Sequence, residues 1–226
     1  MKRALLAALT VVVLAARPST QQAPAPSAQD PLRTPIMQND TVALTHLRFR
    51  PGSRETVHTH PFPLLLIQLS AGDLDVKARD VVKRGTHAGE VWYVATNESH
   101  AVMTVASATA TVDVLAIALL PSRIKAAAAP VTEAPPGVTR TTLIDNVDVR
   151  VARVRFDPGS KEPLHSHPFD LLTVQLTPGN LDLVDGSEHT TGTREPGFIK
   201  FLQRSVQHAY ASLDSKAFEM LSISVK

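Results

Sequence analysis

Two histidine pairs have the type and spacing to do chemistry. One lies in H-T-H-P-F, His58 to Phe62, and the other in H-S-H-P-F, His165 to Phe169. Alternate residues of an extended strand point to the same side, so His58 and His60 project together, as do His165 and His167. Two charged imidazoles side by side in a small barrel would be costly, whereas two neutral ones are good ligands for a shared cation. A third donor is available to each pair, since His100 follows His60 at almost the same separation as His208 follows His167. Six of the nine histidines therefore fall in matched positions, and the implied chemistry is a three-imidazole metal site in each half of the chain. Such a donor set suits a divalent Fe, Zn, Mn, Ni or Cu ion. The competing reading is a metal-free barrel in which clustered imidazoles bond one another, water or backbone.

The matched histidines belong to a duplication. An offset of 107 carries Leu44–Val76 onto Val151–Leu183, with 17 of 33 positions identical. Each copy has a P-G-S and a Glu before the histidines and a leucine-rich run ending at a glycine after them. A repeat of this length implies two units. A duplicate kept only as a structural prop would have no physical reason to hold three costly inward imidazoles, yet both copies have all three.

Short apolar segments separated by turn residues must position these side chains. Strands are predicted over Val42–Phe49, Leu64–Leu69, Leu74–Lys77, Val91–Val94, Ala101–Val105 and Thr111–Leu120 in the first copy. In the second they are predicted over Val147–Phe156, Leu171–Leu176, Leu181–Val184, Phe198–Leu202, His208–Leu213 and Phe218–Val225. Many short strands with turn signals between them indicate an all-β sandwich or barrel, and no amphipathic helix of about ten residues or more is evident. Aromatic residues make up only 4% of the chain, so the core must be aliphatic and β-branched. The predicted first unit spans 32–120 and the second 137–226. A Pro- and Ala-rich linker at 121–136 joins them.

The N-terminal segment Met1–Ala16 reads as a secretory signal peptide. Lys2 and Arg3 precede an apolar run, Ala4–Ala16, with small residues at its end. That run falls short of the ~20 residues a spanning helix needs, so no stable membrane span is expected after cleavage. Residues 17–31, rich in Pro, Gln, Ser and Ala, read as a flexible tether. Lys2 and Arg3 lie in the leader, and without them 21 of the 23 Lys and Arg remain against 21 Asp and Glu. The mature chain then has no basic excess for nucleic acid. Cysteine is absent, which excludes disulfides and thiolate ligands.

These residues resemble the cupin superfamily. Its first motif, G-x5-H-x-H-x3/4-E-x6-G, is similar to Gly52, His58, His60, Gly72 and to Gly159, His165, His167, Gly179. Its second, G-x5-P-x-G-x2-H-x3-N, is similar to Gly89, His100 and Gly197, His208, with Ala95/Asn97 and Gln203/Ser205 at the internal Pro and Gly. The resemblance covers nearly all of the chain after the tether and implies a bicupin, two tandem cupin jelly-roll barrels of six or more strands each. It also places Leu65 and Leu172 where the family's glutamate ligand stands, which implies carboxylate-free sites. A divalent ion with three neutral ligands would keep its full charge and attract hydroxide or an anionic group.

Further candidates surround these sites. Tyr210, two residues after His208, has the parity to place its phenol near the second site as an acid or hydrogen-bond donor, or simply to fill space. Asp170, three residues after His167, could supply a carboxylate there or cap a turn. Together they add proton-transfer groups there, so if chemistry occurs at one site only, the second copy is the expected one. Glu55 and Glu162 read as solvated turn residues, Gln68 and Gln175 as sheet or interface packing, and Phe62 and Phe169 as site walls. Trp92 and Tyr93 belong to the core or the contact between barrels. His46, His87 and His189 lack histidine counterparts; His46 reads as a strand-surface residue and the other two as solvated loop residues.

The expected function is that of an exported metal-binding bicupin, either an enzyme acting on a small anionic or hydroxylated molecule, dioxygenase-like, or a non-catalytic module that captures a metal or small ligand. The resemblance also admits self-association, since cupin sheets often pair and a bicupin resembles a built-in dimer.

Overall fold

Runs such as Leu64-Leu65-Leu66-Ile67 have no polar face, so a strand built from them must be covered on both sides. The structure, a computed structural model describing residues 30–105, 107–121 and 134–226, covers it in that way. The signal peptide, nearly all of the tether and most of the linker read from the sequence lie outside the described residues.

Sixteen strands form the described chain, with no helix. The first copy contributes β1 (Leu32–Gln38), β2 (Val42–Phe49), β3 (Leu64–Gln68), β4 (Leu74–Ala78), β5 (Val81–Gly85), β6 (Val91–Val94), β7 (His100–Thr104) and β8 (Val112–Leu119). The second contributes β9 (Val138–Asp145), β10 (Val149–Phe156), β11 (Asp170–Gln175), β12 (Gly179–Asp185), β13 (Glu188–Arg194), β14 (Ile199–Leu202), β15 (His208–Ser212) and β16 (Phe218–Val225). Each copy folds into a five-stranded and a three-stranded sheet. The orders are β1-β2-β8-β3-β6 with β5-β4-β7, and β9-β10-β16-β11-β14 with β13-β12-β15. Position for position the two topologies are the same, with every pairing antiparallel, as in jelly rolls.

The central strands of the five-stranded sheets, β3, β8, β11 and β16, are buried on both faces. The sheets' inner faces pack inside each barrel, through Leu47, Leu64, Leu66 and Val114 in the first and Val154, Leu171 and Met220 in the second. Their outer faces meet in one continuous core that joins Val42, Leu44, Leu65, Ile67, Leu115 and Ile117 to Val149, Val151, Leu172, Val174, Leu221 and Ile223. Tyr93 crosses the same boundary and donates its hydroxyl hydrogen bond to Asp148 of the other copy. Trp92 is buried in the first barrel's own core. Gln68 and Gln175 clamp turns: Gln68 Nε2 donates to the Ser70 and Gly72 carbonyls at 2.9 and 2.6 Å, and Gln175 Nε2 to that of Thr177 at 2.8 Å.

Four strands have no counterpart in the sequence prediction: β1, β5, β9 and β13. Their side chains are mostly exposed, so they carry no alternation of apolar and polar residues to read. Pairing with a neighbour, rather than burial, makes them strands. His189, read as a loop residue, lies in one of them, β13.

Because one apolar core belongs to both barrels, the copies should unfold together. Leu172→Ala, at a fully buried position in that core, is expected to lower stability by about 2–5 kcal/mol. Denaturant melts read at Trp92 (first barrel) and by far-UV circular dichroism (both barrels) should shift by the same amount; separate transitions would contradict a shared core.

Candidate metal centres and their cavities

The H-x-H segments are extended but belong to no long ladder, and each is fixed by one reciprocal backbone pair. His58 N–H donates to the His100 carbonyl at 3.0 Å, and His100 N–H donates back at 2.9 Å. In the second copy His165 and His208 form the same bridge, at 3.0 and 2.8 Å. The third imidazole is thereby set opposite the first. The second histidine is held by the loop before β7 or β15, where Asn97 N–H donates to the His60 carbonyl at 2.8 Å and Ser205 N–H to that of His167 at 2.7 Å. Asn97 and Ser205 have φ of 58° and 61°. This is the left-handed conformation in which glycine is easiest to place, which explains why the resembling motif has glycine there.

The rings converge. Ligand-capable nitrogens of His58, His60 and His100 lie within 4.8 Å of one another, and so do those of His165, His167 and His208. His58 Nε2 is 3.1 Å from His60 Nε2, and His165 Nε2 is 3.2 Å from His167 Nε2. Nitrogens each ~2.1 Å from one ion in tetrahedral or octahedral geometry stand roughly 3.0–3.4 Å apart, so these spacings fit a shared cation. His58 Nδ1 lies 2.8 Å from the Thr56 carbonyl and His165 Nδ1 lies 2.8 Å from that of Pro163. His100 Nδ1 is 3.2 Å from the Glu98 carbonyl. A carbonyl accepts only, so each Nδ1 carries the proton and Nε2 keeps its lone pair for the site. Phe62 and Phe169 stack on His60 and His167 at 5.6 and 5.5 Å between centroids, as walls.

Burial favours the neutral form of His60, His100, His167 and His208. Burial first, then repulsion from His58, His100 and Arg33, pushes His60 down to about 4. Burial followed by neighbouring His165 and His208 pushes His167 down to about 4, and burial with His165 does the same to His208. Burial also lowers His100, partly opposed by its bond to the Glu98 carbonyl. His60, His167 and His208 thus resist protonation well below neutral pH, and His100 is shifted in the same direction, towards the neutral state a metal ligand needs.

Each cavity also contains an ion pair that sequence reasoning missed. Arg33 of β1 pairs with Glu55, and Arg140 of β9 pairs with Glu162; all four residues line the cavities beside the triads. Glu55 and Glu162 are buried rather than solvated. Burial pushes the Glu162 carboxyl up, against the opposing pull of Arg140 and His165. The same sequence separation from Arg to Glu in both pairs was the available signal. It went unread because the arginines sit on strands without apolar alternation.

Leu65 and Leu172, read as replacing a site ligand, have their side chains in the core between the barrels. Strand alternation instead turns Leu64 and Leu66 to the first triad and Leu171 and Thr173 to the second, again without a carboxylate. Asp170 is likewise not in the second site. Its carboxylate accepts from Arg204 N at 2.9 Å and Arg204 Nη2 at 3.1 Å, and it lines a separate cleft with Asn39, Asp40 and Thr41. Tyr210 does reach the second cavity, with its ring 6.5 Å from His208 and its hydroxyl 3.0 Å from Thr173 Oγ1. Burial pushes its phenol strongly up, so it is neutral. His46 and His87 lie outside both sites, beside Asp113 and Glu90 at 2.9 and 3.2 Å.

Two consequences can be measured. Unfolded imidazoles titrate near 6.5, whereas His60, His167 and His208 titrate at about 4 when folded. Between those values the unfolded chain binds more protons, so metal-free protein should lose stability as pH falls from about 6.5 towards 4. Melts in chelator should show this fall, and a His60→Gln/His167→Gln variant should show a shallower one. Second, Arg140→Met leaves Glu162 buried beside the triad without its countercharge and should cost about 3 kcal/mol in a urea melt. The double variant Arg140→Met/Glu162→Leu should recover most of that loss.

The sequence matches no protein-family model and no curated protein. Solved structures do match in fold. AerE from Microcystis aeruginosa superposes with a TM-score of 0.67 at 16% identity, over 88% of this chain and 100% of that one. A cupin 2 conserved barrel domain protein from Leptotrichia buccalis gives 0.63 at 15% identity, over 89% and 92%. An oxalate decarboxylase variant from Bacillus subtilis gives 0.65 at 12% identity, over 88% and 74%. Sequence motifs, a topology repeated strand for strand and these superpositions agree that the chain has the bicupin fold, two tandem cupin jelly-roll barrels, each with a histidine triad suited to a divalent metal.

Proposed function

We propose that the protein is an exported, metal-dependent bicupin enzyme that acts on a small anionic or hydroxylated molecule, with dioxygenase-like oxidation as its chemistry. The observation that carries this is the donor set: three convergent imidazoles facing a cavity whose lining carboxylate is already tied to an arginine. His58, His60 and His100, and His165, His167 and His208, would hold the ions. A divalent ion at such a triad supplies Lewis acidity and, if redox-active, electron exchange with oxygen.

The protein's own groups do the rest. Nδ1-to-carbonyl bonds fix the rings so that Nε2 faces inward. Arg33 and Arg140 neutralise Glu55 and Glu162, so these carboxylates do not repel an incoming anion. The guanidinium fork keeps donors beyond the one used on Glu, and these can orient an anionic group. Phe62 and Phe169 shield one side of each site from water. Solved structures of Bacillus subtilis oxalate decarboxylase, similar in fold, contain Mn(II) centres, which supports Mn among the candidate ions. Export is supported by Lys2, Arg3 and the apolar run behind them. Among the described residues no helix is long and apolar enough to cross a membrane.

Elemental analysis of protein purified from an exporting host tests this reading. The expected result is about two equivalents of transition metal per chain and a mass lacking Met1–Ala16. A His58→Ala/His165→Ala variant should lose the metal. Metal-loaded protein should consume oxygen with one of a panel of small organic acids. Near-zero metal in both proteins after reconstitution would sink the proposal.

A further inference from the structure

The two copies share a triad but not the space above it. The first cavity has a volume of about 190 Å³, and the second about 20 Å³. A cavity of ~150 Å³ accepts benzene, whereas a single water needs ~10–15 Å³. The first can therefore take a ring or a branched hydrocarbon body, and the second only one or two waters.

The difference lies in particular side chains. Register makes the equivalences plain. Leu47 pairs with Val114 where Val154 pairs with Met220, and Leu66 pairs with Ala116 where Thr173 pairs with Ser222. Two residues beyond the third histidine, the first copy has Val102 and the second has Tyr210. Tyr210 lies in the second cavity, hydrogen-bonded to Thr173, and Met220 lines the same space. Their counterparts Val102 and Val114 are buried and line no part of the first cavity. What lines it instead is an aliphatic wall of Ala43, Leu47, Leu64, Leu66, Ala116 and Ala118. The triad and the Arg33–Glu55 pair form its polar end.

We propose that the two sites divide the work. The first is the ligand site, taking an organic acid with a compact apolar body about the size of a benzene ring. Its carboxylate faces the triad and the free donors of Arg33, and its hydrocarbon lies against the alanine and leucine wall. The second site holds its ion with water-sized ligands alone and serves the fold. This assigns the chemistry to the first copy, although the second has the tyrosine. The proposal rests on the metal-site reading above, and its test separates the two.

Protein reconstituted with zinc is titrated with benzoate by calorimetry, with metal content measured in parallel. Two metal equivalents and one benzoate per chain are expected, with acetate at least tenfold weaker. Val102→Tyr/Leu66→Thr, which builds the second copy's filling into the first, should weaken benzoate at least tenfold while both metal equivalents remain. Ala116→Leu is a smaller intrusion into the same wall and should also weaken benzoate if the double variant fails to fold. Two benzoates per chain, no benzoate binding to the two-metal protein, or undiminished affinity in a folded, two-metal filled variant would overturn the division of work. Absence of metal from the reconstituted wild type would overturn the metal reading itself.

Discussion

Everything at either site depends on one pair of backbone hydrogen bonds. The His58–His100 bridge, and its twin between His165 and His208, joins the H-x-H segment to the strand carrying the third imidazole. Backbone register, set by atoms common to all residues, therefore decides that three rings from distant parts of each copy point at one spot. A one-residue slip would turn His100 or His208 to the opposite face of its strand. The left-handed Asn97 and Ser205 close the same frame by reaching the second histidine's carbonyl. Neutrality then follows from location, because convergence in a buried pocket is what pushes His60, His167 and His208 down.

The frame stays in register because the sheets behind it are held from both sides. Sheet β1-β2-β8-β3-β6 packs inward on its own barrel and outward on the other, so β3 and β8 can be almost wholly aliphatic. This accounts for a chain so poor in aromatics that still buries two cores and an interface. It also explains what was legible in the sequence. Strands with a buried face advertise themselves by alternation or by unbroken apolar runs, and these were found. β1, β5, β9 and β13 are mostly exposed and held by backbone pairing and scattered polar side-chain bonds, which leave no periodic apolar trace in the sequence.

The site was legible to the same degree and for the same reason. Six histidines at repeated spacings could be read because spacing in the chain and parity on a strand are the same information. The motif spacing put the family's ligand position at Leu65, whereas the side of β3 that faces the triad carries Leu64 and Leu66. Glu55 and Glu162 looked like turn carboxylates, since nothing local says that an arginine far upstream will reach them. Asp170 was close in sequence to the second triad, yet Arg204 draws its carboxylate into another cleft. For the two glutamates the deciding partner came from a strand that the local pattern did not reveal; for Asp170 it came from the loop between β14 and β15.

A duplicated site can differ only where its frame allows. The imidazoles, their backbone bridge and the Arg–Glu pair are mutually dependent: moving one leaves a buried charge or an unmatched donor, at a cost of several kcal/mol. The wall residues are bound only by volume. Exchanging Val102 for Tyr210 and Leu66 for Thr173 fills space and satisfies the new hydroxyl with the new threonine, so the change is self-contained. An open cavity beside a triad forfeits packing, since about 190 Å³ of unfilled volume is costly unless something occupies it. The filled copy avoids that loss and contributes stability; the open copy retains it. Such a cost, borne next to a centre able to hold a Lewis acid, is offset when a ligand completes the core.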